Sequence, residues 1–311
     1  MKTIKLEYPH TLNIDELPET VTAIGFFDGI HKGHQKVINS AVQIAQEKKL
    51  ESAVITFHPH PSVVLSKGKK QVKYITPIQE KQSILQNMSV DRLYIIKFNE
   101  ELASLSPQEF VDQFIIGLNI KHVVGGFDYT YGHKGLGTME TMEEQSRGKF
   151  TTTVIEKIEM DNEKVSSTKI RELLKLGDME RITTLLARPL SIHGKVVEGE
   201  KRGRKMGYPT ANLVIDKKVL LPKPGIYAVK VIHKGEKYEG MASLGTNPTF
   251  TEDKKDLSLE VNILDYNNNL YGEELELEWH KYIREEIKFR NTEDLVEQIK
   301  KDENEIRNFF K

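Results

Sequence analysis

The spacing of apolar positions changes along the chain and divides it into two parts. Up to about residue 186, short apolar runs typical of buried parallel strands alternate with segments in which apolar residues recur at helical spacing. The predicted strands cover 21–25, 52–57, 92–98, 121–126 and 152–158, and the predicted helices begin near 34, 78, 107 and 167. Strands that alternate with helices in this way indicate βαβ units with right-handed crossovers. The first part is therefore predicted to be a doubly wound, Rossmann-like α/β domain around a parallel sheet.

After residue 187 the pattern consists of short strands divided by Gly, Pro and Asn. The predicted strands cover 191–197, 211–215, 226–233, 238–244, 257–266 and 270–282. Turn residues at this spacing favour an antiparallel β-barrel, closed here by an amphipathic helix over 292–310. We find no internal repeat and no low-complexity linker. The sequence thus predicts two closely joined domains, 1–186 and 187–311.

The first predicted strand leads directly into GFFDGIHKGH, residues 25–34. Ligands of open α/β sheets collect at the carboxyl ends of strands, and a helix N-terminus offers unpaired N–H groups to phosphate. Gly25 and Gly33 let backbone approach a bulky ligand, and His31 and His34 fall on one side of the first helical turn. A metal site or a helix cap is the alternative interpretation of such a pair. The complete HxGH motif, set between strand and helix, resembles that of nucleotidyltransferases and favours phosphate handling.

A second candidate segment, GGFDYTYGHKGLG at 125–137, follows the fourth predicted strand. Asp128 is a carboxylate suited to hydrogen bonding or to orienting a metal, and Phe127, Tyr129 and Tyr131 could stack on a planar ring. The alternative is a glycine-rich loop whose aromatic residues merely pack beneath it. The position at a strand's carboxyl end favours the functional interpretation.

The segment VSSTKIRELLKLGD, residues 165–178, predicts a helix whose N-cap is Ser166 or Ser167. Lys169 and Arg171 then lie in the first turn, where the helix dipole makes positive charge unfavourable by roughly 0.3–1 kcal/mol for each residue. A bound anion would reverse that sign. Two solvated basic residues are the alternative, but together with the HxGH turn we prefer polyphosphate binding.

The barrel half carries its candidate chemistry in GKVVEGEKRGRKMGYPTANL, residues 194–213. Its glycines interleave with basic residues: Gly199, Lys201, Arg202, Gly203, Arg204, Lys205 and Gly207. Such a loop can fold over phosphates, although a solvated loop or a weak RNA contact is the alternative. Thr210 and Asn212 point the same way from the next strand, and their hard oxygen atoms suit a nucleotide-bound Mg²⁺.

The alternating segment LSLEVNILDY adds a carboxylate to this half of the chain. Leu259 and Val261 point to one face, which leaves Glu260 and Asn262 on the other. By itself this is an ordinary polar outer face. A kinase that acts on a hydroxyl needs a group to accept the proton, and Glu260 is the best candidate.

The composition of the chain limits the classes of binding partner and of chemical site that it can have. Lys and Arg total 45 against 46 Asp and Glu, so no overall positive charge attracts nucleic acid, and we expect no nucleic-acid partner. No cysteine is present, which excludes disulfides, thiolate catalysis and cysteine-type zinc sites. The sequence shows neither a signal peptide nor an apolar run long enough to span a membrane, so a cytoplasmic protein without membrane contact is expected.

Taken together, these motifs resemble the prokaryotic FAD synthetases, the bifunctional riboflavin kinase/FMN adenylyltransferase family. The resemblance spans almost the whole chain, from GFFDGIHKGH, HPHP, GFDYTYG and SSTKIR to GRKMGYPTAN, PGIYAV, NPTF, ILDY, LYG and IREEIKF. It implies that riboflavin and ATP give FMN in the C-terminal module. FMN and ATP then give FAD and pyrophosphate in the N-terminal module, and both steps use Mg²⁺. The ligands implied are riboflavin, FMN, FAD and ATP.

For the N-terminal module, the resemblance implies that His31 and His34 stabilise the α-phosphate during adenylyl transfer. Asp128 belongs to the nucleotide site, and Ser167, Thr168 and Arg171 hold the ATP phosphates. The remaining candidates for nucleotide contact in this module lie in the first turn: Gly25, Phe27, Asp28 and Gly33.

For the C-terminal module, the resemblance implies that Thr210 and Asn212 carry Mg²⁺ and that Glu260 is the base. Gly203, Lys205 and Gly207 are the candidates for nucleotide contact. The family's DFxFG-type loop is DYTYG here, and Asn262 stands where histidine is frequent, which leaves flavin preference and the balance of the two activities open.

Three other functions compete with a two-step enzyme. Only one module could be active, or the chain could be a flavin-binding regulator that keeps the folds without the chemistry. A nucleotidyltransferase for another acceptor is a third possibility, but it would not need a kinase-like second domain. The sequence does not indicate an oligomeric state.

Overall fold

In the computed structural model of the protein, the described residues are 1–66, 69, 71–160, 163–199, 203, 206–246 and 257–311. Contacts between residues divide the chain into two compact units, Met1–Ser167 and Thr168–Lys311. This division differs from the predicted boundary at 187 because residues 168–186 cluster with the barrel. The boundary drawn from the sequence marks where the spacing of apolar positions changes.

In the described part of the first unit, six parallel strands form one sheet in the order β1-β4-β3-β2-β5-β8. The strands are β1 Lys2–Leu6, β2 Thr20–Ile24, β3 Glu51–His58, β4 Arg92–Lys97, β5 Ile120–Gly126 and β8 Thr151–Ile155. Two short antiparallel hairpins join β6 Thr130–Tyr131 to β7 Gly137–Thr138, and β9 Glu159–Met160 to β10 Glu163–Lys164. The first strand was not predicted: it is a partly exposed edge strand that pairs with β4, so it lacks the continuous apolar run of its neighbours.

The helices of the first unit follow the predicted positions, with several short additions. They are α1 Lys32–Lys48, α2 Pro61–Leu65, α3 Ile78–Asn87, α4 Glu100–Ser104, α5 Pro107–Val111 and α6 Met139–Gln145, with 3-10 turns at Ile14–Glu16 and His133–Gly135. The helix predicted to begin near 107 starts at Pro107, after a capping box between Ser106 and Glu109, but beyond Val111 it continues as a wider π-helical turn, Asp112–Ile116.

Both faces of the sheet are buried, as a doubly wound fold requires. Ile24 and Ile55 belong to one apolar cluster, whereas their chain neighbours Ala23 and Val54 belong to another. Alternate residues of a strand point to opposite faces, so the two clusters lie on the two sides of the sheet. The carboxyl ends of β2 and β5 are adjacent, since Ile24 pairs with Gly125.

The second unit contains a closed antiparallel barrel with the strand order β11-β12-β15-β14-β13-β16. The strands are β11 Leu190–Val197, β12 Ala211–Val214, β13 Gly225–His233, β14 Glu236–Thr246, β15 Leu257–Ile263 and β16 Glu274–Arg284. The helices are α7 Ser167–Leu176, α8 Met179–Leu186 and α9 Thr292–Phe310. The predicted fold, a parallel α/β unit followed by an antiparallel barrel with a terminal helix, is confirmed.

Asn291 caps the terminal helix, since its side-chain oxygen accepts a hydrogen bond from the Asp294 backbone N–H at 2.7 Å. Replacement of Asn291 by alanine should lower the free energy of unfolding of the barrel by about 1 kcal/mol, whereas Asn291→Asp keeps the acceptor and should not. Trp279 is the single tryptophan of the sequence and is fully buried in β16, so its fluorescence in a urea titration follows this unit. Equal midpoints for the alanine and aspartate variants would contradict the capping role.

Candidate active sites

The turn between β2 and α1 brings the two predicted histidines together. His31 is the N-cap of α1, and its Nδ1 accepts the backbone N–H of His34 at 3.3 Å. The two imidazole rings stack with their centroids 3.6 Å apart and their planes 19° apart. The turn is tight, because Phe27 and Ile30 both have positive φ angles of 53° and 43°. The helix cap, which the sequence left open as an alternative to phosphate handling, is therefore present together with the stacked histidine pair.

His34 is held in its neutral form. Burial lowers the pKa of His34 well below its ordinary value, and the nearby positive charges of His31 and Lys81 lower it further. The edge of the Phe27 ring packs against the His34 ring, with 5.3 Å between centroids and an angle of 82°. Within the described residues, His34 Nδ1 is buried without a hydrogen-bond partner. A neutral imidazole in this position acts through hydrogen bonds rather than through a fixed charge.

The glycines of the turn make room for its own aromatic rings. A Cβ atom on Gly25 would lie 2.9 Å from the Phe27 ring, and one on Gly33 would lie 3.1 Å from the His31 ring. The sequence predicts that these glycines admit a ligand. The structure explains the two glycines differently, since any larger residue at either position would displace an aromatic ring of the site.

Asp28 fastens the turn to the segment that precedes α3. The side chain is only 4% exposed, and Oδ1 accepts the backbone N–H groups of Ile75 and Thr76, each at 3.0 Å. Its backbone carbonyl accepts the Ser167 hydroxyl at 2.8 Å. The Asp28 carboxylate therefore holds the loop, and its direct contact with a nucleotide stays a prediction.

A cavity of about 910 Å³ opens beside this turn. The predicted residues that line it are Gly25, Phe27, His34, Asp128, Tyr129 and Tyr131. Its aromatic lining was only partly predicted and comprises Phe26, Phe57, Phe98, Phe110, Tyr129 and Tyr131. Tyr131 is fixed by a 2.6 Å hydrogen bond from its hydroxyl to Gln145 Oε1, and the Tyr129 ring stacks on it at 6.0 Å. The cavity is wide and aromatic enough to receive a planar polycyclic ring.

The other predicted residues of the first module are Asp128, in the loop after β5, and three residues at the start of α7. Asp128 is more than half exposed, and its Oδ2 pairs with Lys164 Nζ at 2.7 Å. Ser167 is the first residue of α7, and Thr168 and Arg171 follow on the same helix. Since these last two residues cluster with the second unit, their contact with ATP phosphates stays a prediction.

The barrel unit has its own cavity, of about 420 Å³, which brings together four of the predicted residues. They are Gly203, Thr210, Asn212 and Glu260. Thr210 donates its hydroxyl hydrogen to Glu260 Oε2 at 3.0 Å, and Asn212 is the direct cross-strand partner of Glu260. The predicted strand spacing thus places a hydroxyl, an amide and a carboxylate around one space. Asn262 also lines it and donates to the Pro209 carbonyl at 2.7 Å, which fixes the backbone just before Thr210.

Glycines in the loop before β12 allow it to lie close to these side chains. A Cβ atom on Gly199 would collide with the Asn212 amide, and one on Gly203 would collide with the Tyr208 carbonyl. Gly207 has a φ of 83°, a conformation that favours glycine. Lys205 and the other basic residues of this loop lie outside the described residues.

The cavity also includes an ion pair that was not predicted. Arg284 binds both carboxylate oxygens of Asp302 at 2.6–3.0 Å, and Gln298 donates to the same carboxylate at 2.9 Å. Because Arg284 belongs to β16 and Asp302 to α9, the pair ties the terminal helix to the barrel beside the cavity. The sequence did not predict this ion pair, because Arg284 and Asp302 belong to different elements that are separated along the chain.

The neutral state of His34 can be tested by a histidine NMR titration. We expect the pKa of His34 to lie well below its ordinary value, and to rise toward that value in His31→Asn, which removes a positive neighbour. The unfolded chain binds a proton that native His34 does not, so this residue lowers stability as the pH falls below about 6.5. Half-protonation of His34 near pH 6.5 in the native protein would contradict this account.

No helix in the described part of the chain is long and apolar enough to cross a membrane.

Comparison with known proteins assigns a family to each unit. The family model described as FAD synthetase matches residues 13–169, and the model described as riboflavin kinase matches residues 186–310. The bifunctional riboflavin kinase/FMN adenylyltransferase of Bacillus subtilis (strain 168) is 47% identical over 311 residues, which cover 100% of this chain and 98% of that protein. The protein of the same name from Listeria monocytogenes is 46% identical over 310 residues, with the same coverage.

A solved structure is similar to this chain over its whole length. A Streptococcus pneumoniae protein described as a macrolide-efflux protein is 35% identical, with a TM-score of 0.88 and 99% of each chain covered. The order of the two family models and the full-length identity to the curated relatives lead to one conclusion. The chain belongs to the bifunctional riboflavin kinase/FMN adenylyltransferase family.

Proposed function

We propose that the protein forms FAD from riboflavin in two ATP-dependent steps, with the adenylyltransferase domain at 1–186 and the kinase domain at 187–311. The observation that carries the proposal is the presence of two separate cavities with different chemistry. One adjoins the stacked pair His31 and His34 and is lined by aromatic rings. The other is lined by Thr210, Asn212 and Glu260.

The kinase step takes place in the barrel. Glu260 accepts the proton of a riboflavin hydroxyl, whose oxygen attacks the γ-phosphorus of ATP while the bond to ADP breaks. The hydrogen bond from Thr210 orients the Glu260 carboxylate and leaves its second oxygen available for this proton. Gly203 and Gly207, in the loop before β12, contact the phosphates, and Lys205, which lies outside the described residues, stays a predicted contact.

Thr210 and Asn212 would hold a Mg²⁺ ion bound with the nucleotide. The Thr210 hydroxyl directs its hydrogen to Glu260, so the lone pairs of its oxygen remain available as a hard ligand. In the described part of the chain, no cluster of three or more His, Asp or Glu residues could hold a metal. A sparse oxygen donor set suits Mg²⁺, which keeps water and phosphate oxygens as its other ligands. When bound, the ion neutralises charge on the transferred phosphoryl group.

The adenylyl step takes place at the turn of the first unit. A phosphate oxygen of FMN attacks the α-phosphorus of ATP, and the bond to pyrophosphate breaks. His31 and neutral His34 donate hydrogen bonds to the charge that develops on the α-phosphate. The aromatic cavity receives the flavin ring, while Gly25, Phe27, Asp28, Gly33 and Asp128 belong to the nucleotide side of the site. Ser167, Thr168 and Arg171 at the start of α7 hold the remaining phosphates.

The adenylyl site can be tested by His31→Asn, because asparagine also caps helices well and the change removes only the imidazole. We expect conversion of FMN to FAD to fall by about 100-fold, since a donor to the transition state is lost. Conversion of riboflavin to FMN by the same protein should not change. Loss of both activities would contradict two separate sites.

The kinase site can be tested by Glu260→Gln, which keeps the shape of the side chain and an acceptor for Thr210. Formation of FMN from riboflavin should fall by about 100-fold or more, because the glutamine cannot take the proton. FAD formation that starts from added FMN should remain at the wild-type rate. A variant that retains kinase activity would remove Glu260 from its assigned role.

A further inference from the structure

Lys81 is a buried lysine in direct contact with the turn that carries the histidine pair. It lies in α3 and is only 3% exposed. Its Nζ donates to the Phe26 carbonyl at 2.6 Å and to the Thr56 hydroxyl at 3.1 Å, and it lies 4.8 Å from the centre of the Phe26 ring. Burying an ammonium group costs free energy. The buried position of Lys81 therefore needs an explanation.

The contacts of Lys81 continue to the reacting groups. The Phe26 carbonyl also accepts the Thr56 hydroxyl at 2.9 Å, so two donors hold the peptide that precedes Phe27. Phe27 has a φ of 53°, which is strained for a bulky residue and persists only where neighbours hold it. The Phe27 ring then packs edge-on against His34, which stacks on His31.

The charge of Lys81 reaches the same groups. Burial lowers the pKa of Lys81 to about 8, against the opposing effect of Asp28, so the side chain is mostly protonated at pH 7. Its positive charge is one of the causes that keep His34 neutral. From α1 and the turn, His34 and Asp28 act electrostatically with it. From β3 it meets the uncharged Thr56, and the ring of His60 packs on the same Phe26 at 4.4 Å.

We propose that Lys81 is a positioning residue for adenylyl transfer: it fixes the Phe26–Phe27 peptide and, through the Phe27 ring, holds His34 against His31. The inference rests on the proposed function of the first unit. Lys81 does not line the aromatic cavity, so it acts through these residues and not on FMN or ATP.

The test compares Lys81→Met with wild type in the full chain. We expect kcat for conversion of FMN to FAD to fall by about 10-fold or more, because even a small displacement of the reacting groups slows the reaction. The KM values for FMN and ATP should change by less than about threefold, because no substrate contact is lost. The riboflavin kinase activity of the same preparation should stay at its wild-type value. In a histidine NMR titration, the pKa of His34 should rise, because a positive neighbour has been removed.

Two further variants separate the causes. Lys36→Met makes the same charge change at an exposed position of α1 and should alter neither kcat nor the His34 titration. Thr56→Val keeps the ammonium group but removes the second donor to the Phe26 carbonyl. It should lower kcat less than Lys81→Met and leave the His34 pKa unchanged.

An unchanged kcat and an unchanged His34 pKa in Lys81→Met would overturn the proposal and leave Lys81 a packing residue. If Lys81→Met does not fold, Thr56→Val decides: a lower kcat at constant KM supports the proposal, and a wild-type kcat overturns it. If wild type forms no FAD from FMN, the proposed function fails. In that case, a His34 pKa that is the same in Lys81→Met as in wild type also overturns the proposed influence of Lys81 on His34.

Discussion

Both candidate sites depend on one constraint: a loop that carries reactive side chains must satisfy its backbone polar groups without a strand ladder or a helix of its own. In the first unit, buried side chains meet this need, since Asp28 accepts two N–H groups of the 75–76 segment and Lys81 donates to the Phe26 carbonyl. In the barrel, Asn262 donates to the carbonyl of Pro209, directly before Thr210. The reactive groups are therefore held in place before any substrate binds.

This constraint suits the chemistry. Both proposed reactions are in-line displacements at phosphorus without a covalent enzyme intermediate, so rate depends mainly on positioning and on neutralising charge. The first unit supplies two stacked imidazoles at a helix N-terminus beside an aromatic cavity. The barrel supplies an amide from β12, a carboxylate from β15 and the hydroxyl of Thr210, the residue just before β12. Two kinds of fold thus offer two different donor sets to the same kind of reaction.

Much of this could be predicted from the sequence where the determining contacts are local. The terminal helix was predicted over the same residues as observed, because its N-cap and apolar spacing lie within one segment. The histidine pair and the Thr210, Asn212 and Glu260 group followed from spacing within a turn or along strands.

The features that were missed depend on contacts between distant segments. Phe57, Phe98 and Phe110 meet in one cavity although they come from different elements of the sheet unit. Lys81 has the sequence context of a surface lysine in a polar helix, and only the packing of α3 against the turn buries it. The pairing of Arg284 with Asp302 depends on how α9 returns to the barrel. Local spacing carries no information on such contacts.

The central claim is that one chain carries out two successive steps. Its most direct test is a time course in which the purified wild-type protein is incubated with riboflavin, ATP and Mg²⁺ and the flavins are separated. The account predicts that FMN appears first and then declines as FAD accumulates, with ADP and pyrophosphate as co-products. Flavin binding without any consumption of ATP would contradict it and would instead indicate a flavin-binding protein that keeps both folds without their chemistry.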